Sequence, residues 1–135
     1  MEYQTKELTI KIRPDNIIEI KAKKDLEEFT LEGAKENVAM MEEIVGNDPR
    51  CVIAWMPDKY MKKDIIKYYN DFEQEFVTTA LITKSFSSKI IGNLFITLRT
   101  RFVSKGKRKT NPIQLFTSEE EAVKWLLSVM ATYDN

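Results

Sequence analysis

Three serines and two lysines crowd one stretch of the chain, ITKSFSSKIIGNLF at 82–95, where Ser85, Ser87 and Ser88 stand with Lys84 and Lys89. Hydroxyls beside amines suit several kinds of chemistry. A serine attacks an electrophile only when a base takes its proton, and here that base would have to be a lysine whose charge burial has suppressed. The same hydroxyls, with Lys89 and the unpaired amides of a helix start, can hold an anion. The glycines that let a phosphate loop converge its amides are lacking, because Gly92 falls a turn inside the expected helix. Phosphorylation of a serine would place charge at the favourable end of a helix. The simplest role is capping, with Ser85 satisfying first-turn amides, and the sequence favours it.

The rest of the chain narrows these choices. It contains no histidine, which removes Ser-His and Cys-His nucleophile systems, imidazole-based zinc sites and histidine pH switching. Cys51 is the only cysteine, so no internal disulfide forms; its setting in CVIAW reads as a buried strand thiol. Glu119, Glu120 and Glu121 are consecutive and point in different directions on a helix, which suits a cap better than a metal. No catalytic residue and no cofactor is implied, and the chain is expected not to be an enzyme.

Net charge is zero, but residues 1–75 carry 17 acids against 12 bases and residues 76–135 carry 4 against 9. Such polarity fits an anionic partner or self-association, for instance a homodimer, through complementary faces. Lys105, Lys107, Arg108 and Lys109 concentrate the positive end in SKGKRKTN at 104–111. Aromatics are sparse around them, so specific nucleic-acid binding is not expected. A solvated loop is the simpler reading, with weak attraction for an anionic ligand as the functional alternative. Trp55, Tyr60, Tyr68, Tyr69 and Phe72 form the aromatic concentration of the chain; Tyr60, Met61 and Tyr69 are the candidate partner surface.

These residues need elements to hold them. Leu8, Ile10 and Ile12 alternate, Pro14, Asp15 and Asn16 supply a turn, and Ile18 and Ile20 resume the alternation, which predicts an N-terminal hairpin. Thr30 precedes an apolar stripe of Leu31, Ala34, Val38, Met41 and Val45, and Gly46, Asn47 and Pro49 end that helix. CVIAWM at 51–56 is a continuous apolar run, a central strand buried on both faces. It is too short to span a membrane, which takes roughly 20 residues. Met61, Ile65, Tyr68 and Phe72 return to helical spacing, and FVTTALIT at 76–83 is a second central strand. The next helix is expected to turn Phe86, Ile90, Ile91, Leu94, Phe95 and Leu98 inward, with Gly92 packed closely on the sheet or on a partner. PIQLF at 112–116 and a helix capped at 118–121 complete the order β-β-α-β-α-β-α-β-α. That order predicts an α/β domain over 1–135: a mixed, mainly parallel sheet with an N-terminal hairpin and four helices. The N-terminus lacks the apolar core of a signal peptide, so a cytoplasmic location is expected.

The second half also carries a pattern of letters. Ser85, Ser88 with Lys89, Ile91-Gly92-Asn93, Leu115-Phe116-Thr117, Ala122 and Trp125-Leu126 follow one another as they do in small single-domain bacterial proteins of the Bacteroidetes type. On these residues the chain resembles the STAS/SpoIIAA-like superfamily. The resemblance implies a non-enzymatic interaction or regulatory module acting through protein–protein contacts. In the sporulation branch a serine at the start of the helix after the third strand is phosphorylated and switches partners. The matching segment here, WMPDKYMKKDIIKYY at 55–69, has no serine or threonine, so the usual switch is missing. The alternative is a small anionic-ligand or lipid-headgroup binder using Ser85, Ser87, Ser88 and Lys89 with the basic loop.

Overall fold

The computed structural model describes residues 2–46, 48, 50–73, 78–103 and 112–134. Among these residues, six strands form one sheet in sequence order: β1 (Glu2–Gln4), β2 (Leu8–Ile12), β3 (Ile18–Ala22), β4 (Cys51–Trp55), β5 (Thr78–Ile82) and β6 (Ile113–Phe116). Four helices follow β3, β4, β5 and β6 in turn: α1 (Leu31–Val45), α2 (Lys63–Glu73), α3 (Phe86–Val103) and α4 (Glu119–Asp134).

The expected hairpin is present, with Leu8 opposite Ala22, Ile10 opposite Ile20 and Ile12 opposite Ile18. Asn16 makes its turn in the left-handed region at φ 70°, a conformation asparagine tolerates better than most residues. A further strand adds to it. β1 pairs antiparallel with β2, Tyr3 opposite Ile10. Three residues at an edge carry too little periodic signal to be read as a strand, and this one is held by a tight turn in which Thr5 Oγ1 accepts from the Leu8 amide at 2.9 Å.

That added strand corrects the expectation of a mainly parallel sheet. β1, β2 and β3 form an antiparallel meander, while β3, β4, β5 and β6 pair in parallel. The parallel ladders follow from their connections, since each passes through a helix that returns the chain to the same end.

The two faces of the sheet are covered unequally. On one, Leu8, Ile10, Ile18, Val52 and Leu81 meet Val38 and Met41 of α1, Ile66 of α2, and Ile91 and Phe95 of α3. On the other, Cys51, Ile53, Ala80 and Ile82 meet Ala122 and Leu126 of α4. Cys51 is buried there, its Sγ 3.8 Å from Met130 Sδ.

Local signals set the helix ends. Thr30 accepts from the Gly33 amide at 2.9 Å at the start of α1, and Gly46 ends it at φ 54° with its amide on the Glu42 carbonyl. Ser118 Oγ accepts from the Glu121 amide at the start of α4, and Arg13 reaches Glu119 at 2.9 Å. Gly92 packs as expected: a Cβ there would stand 2.7 Å from Leu115 and 3.1 Å from Thr83. One expectation for α3 fails. Ile91, Phe95 and Leu98 are buried, but Phe86 is 81% exposed and Ile90 47% exposed. The two lie one turn apart on a face that the described residues leave largely uncovered, which apolar character alone does not reveal.

Candidate functional site

In a sheet of this kind, ligands and partners most often meet the chain where parallel strands end, because the loops there are free to vary. At that edge β3 ends at Ala22, β4 at Trp55 and β5 at Ile82. Trp55 is the centre of the polar arrangement. Its indole Nε1 donates to Glu19 at 3.0 Å, Lys21 Nζ lies 4.8 Å from the ring centroid, and Lys84 Nζ lies 6.0 Å from it. Lys84 also donates to the Thr117 carbonyl at 2.6 Å, tying the ends of β5 and β6 together.

The serine junction is a reciprocal cap. Ser85 Oγ accepts from the Ser88 amide at 3.0 Å, and Ser88 Oγ accepts from the Ser85 amide at 2.9 Å. Two first-turn donors are thereby satisfied within four residues, the logic of a capping box with serine in the third position. Ser85 Oγ also bonds the Asp58 carboxyl, from the loop between β4 and α2. An incoming anion would therefore meet a carboxyl group already seated at the helix start. Ser88 is buried, while Ser87 and Lys89 are exposed. Lys84, the adjacent amine a nucleophilic serine would need, is engaged with Thr117 instead.

A second polar cluster lies on the helix-rich side of the antiparallel strands. Glu7, just before β2, is buried, and its carboxyl accepts from the Thr30 amide at 3.0 Å and from Asn37 Nδ2 at 3.1 Å. Asn37 also donates to the Tyr69 hydroxyl at 2.7 Å, and Thr5 bonds the Asn37 amide oxygen. Burial pushes the Tyr69 hydroxyl far above its usual titration range; the bond from Asn37 opposes this and the nearby Glu7 adds to it. Gly33 makes the cluster fit, since a Cβ there would fall 2.0 Å from the Glu7 carboxyl. These groups satisfy one another within the core, which marks the cluster as a fastening between β2, α1 and α2.

The chain belongs to a family described as a domain of unknown function, DUF7793, whose model matches residues 10–130. The match takes in the strand ends, the serine junction and the loop bearing Asp58, and begins after Glu7. No curated protein and no solved structure matches the chain.

Of the site residues named from sequence, the structure brings Ser85 and Ser88 together and sets Tyr60 on the same edge, two residues from the Asp58 that bonds Ser85. The partner surface is corrected in two of its three members. Met61 and Tyr69 are buried, and only Tyr60, 69% exposed, faces out. Tyr69 faces in because the amphipathic stripe of α2 runs through Ile65, Ile66, Tyr69 and Phe72 and leaves its neighbour Tyr68 half-buried. Lys105, Lys107, Arg108 and Lys109 lie outside the described residues. Sequence reasoning passed over Glu7, Asn37 and Gly33, whose only signals were a glycine near a helix start and an asparagine within an apolar stripe. It also passed over the lysines of KAKK at 21–24, whose signal is three cations within four residues.

Proposed function

We propose that this chain is a non-enzymatic, STAS-like interaction module that docks a second protein at the carboxyl edge of its parallel strands. One observation carries the reading: Tyr60, in the loop after β4, and Phe86 and Ile90, in the first turns of α3 after β5, are large apolar side chains left exposed. The bond between Asp58 and Ser85 holds the loop of Tyr60 against the start of α3, next to Phe86. Exposed lysines at 59, 62, 63, 84 and 89 stand within a few residues of these side chains in the sequence, against Asp58 and Asp64. The surface therefore suits a partner with an apolar contact rimmed by acids. The switch serine of the sporulation branch has no counterpart in the segment 56–62, so partner choice would rest on this apolar contact rather than on phosphorylation there.

The test is a capture experiment with a matched pair of variants. Wild-type chain, a Phe86→Ser/Ile90→Ser variant and a Leu127→Ser control, which alters an exposed leucine on α4, are compared. Captured protein is identified and its binding reproduced with purified material. Binding lost with the paired variant, kept with the control and weakened by salt is the expected result. Equal binding by all three chains rejects the surface. Light scattering on the same samples shows whether the partner is a second copy.

A further inference from the structure

Two adjoining spaces at the same edge differ in chemistry. One is an apolar cavity of about 60 Å³ between the sheet and its helices, walled by Leu8, Val52, Met61, Phe72 and Phe95 among others. The other is an open cleft of about 350 Å³ bearing Lys21, Lys23, Lys24 and Lys59. Ala22, Phe29, Trp55, Met56 and Pro57 line both spaces. The residues at the base of the cationic cleft are thus also walls of the apolar cavity.

The charge in the cleft is unbalanced. Its one acid, Asp58, is bonded to Ser85 Oγ. Asp25, Glu27 and Glu28 are close in sequence but do not line it. Among the described residues, none of its four lysines makes an ion pair. Lys59 donates to the Glu27 carbonyl at 3.4 Å, and Lys21 lies over Trp55, whose indole holds Glu19. Like charges gathered in a concave surface raise the local potential, and an anion relieves it. The cavity behind exceeds the ~10–15 Å³ that one water needs, yet its apolar walls give water little to bond. Its size suits a tail of a few carbons.

We propose that cleft and cavity form one bipartite site for an amphiphilic anion, its acidic head on the lysines and its short apolar tail in the cavity. This site shares Lys59 and Asp58 with the margin of the docking surface of Tyr60, Phe86 and Ile90, but it rests on different observations, and neither proposal needs the other. It also differs from the alternative anion site at 85–89, where the Asp58 carboxyl is bonded to Ser85 Oγ at the helix start.

Isothermal titration with unbranched carboxylates from acetate to decanoate tests it, with octyl phosphate, octanol and inorganic phosphate as further probes. Affinity should rise about fourfold per methylene while the cavity fills, as burial of each CH₂ requires, and then level off within the series. Octanol and inorganic phosphate each supply half of the ligand and should bind more weakly than octanoate or octyl phosphate. Tighter binding of octyl phosphate assigns a phosphate head and the reverse a carboxylate; both uphold the site. Lys23→Ser with Lys24→Ser should weaken octanoate binding about tenfold, the sum of two solvent-exposed ion pairs. Ala22→Leu narrows the shared wall and should remove the chain-length dependence; Ala54→Val, inside the cavity, is the second variant should the first not fold. Three results overturn the proposal: no saturable binding of octanoate or octyl phosphate, equal affinity for octanol and octanoate, or affinity that climbs without a break through decanoate, as in unspecific adsorption.

Discussion

The parallel half of the sheet and its antiparallel half are built on different principles. β4 and β5 are buried along almost their whole length, because helices cover both of their faces. In β2 and β3 the burial alternates: Leu8, Ile10 and Ile18 go inward, while Lys11 and Lys21 face solvent. Parallel strands gain cover from their own crossovers, whereas a meander needs none and can leave one face wet. The halves are accordingly secured by different forces. Apolar burial on two sides holds the first; one apolar face and the buried cluster of Glu7, Asn37 and Tyr69 hold the second. The bipartite site falls near the boundary between the halves, where the loops after β3 and β4 leave the sheet beside Trp55, whereas Phe86 and Ile90 of the docking surface follow β5 within the parallel half.

The comparison breaks most readily at the centre of the parallel half. Ile53→Ala removes a fully buried side chain from the α4 face of β4, and it should cost about 2–5 kcal/mol in denaturant unfolding. A loss below 1 kcal/mol would mean that the two-sided core is not the principal source of stability.

A smaller effect separates the polar fastening from its surroundings. Because burial raises the Tyr69 hydroxyl pKa, the folded chain keeps this proton after the unfolded chain begins to lose it near pH ~10. The contribution is at its full value below that pH. Above it, stability falls by up to ~1.4 kcal/mol per pH unit until the folded hydroxyl itself titrates. Unfolding measured between pH 9 and 11, as a window spanning the ~10 of free tyrosine, should show a shallower decline for Tyr69→Phe than for wild type. Identical slopes would exclude a buried, neutral hydroxyl. The smallest effect belongs to the open face. Lys11→Ala, at an exposed position of β2, should change stability by less than about 0.5 kcal/mol. A larger loss would show that this face is covered in solution, for example by a second copy.

Much of this architecture was legible in local patterns. Alternation in Leu8, Ile10 and Ile12 located β2; the unbroken apolar run of CVIAW located a strand buried on both sides; Thr30, Gly46, Ser85 and Ser118 marked helix ends. Such signals are written over a few neighbouring residues, where backbone geometry sets their spacing. β1 escaped because three residues at an edge carry no such period. Phe86 and Ile90 were misplaced for a different reason: a residue's apolar character does not say whether a neighbouring element arrives to cover it. Glu7 could not be assigned to a core from its charge, since its burial depends on partners 23 and 30 residues further along the chain.

By itself, then, the sequence determined the alternation of strands and helices, the caps, the need for close packing at Gly92, and the exclusion of histidine chemistry. Those properties depend on residue type and short-range spacing. Only the tertiary structure decided the rest. It placed Asp58 against the Ser85 cap, left Phe86 and Ile90 in the open, and brought Lys21, Lys23, Lys24 and Lys59 into one cleft beside Trp55. Each of these is a meeting of segments far apart in the chain, set by which sheet face a helix covers and which strand end a loop leaves.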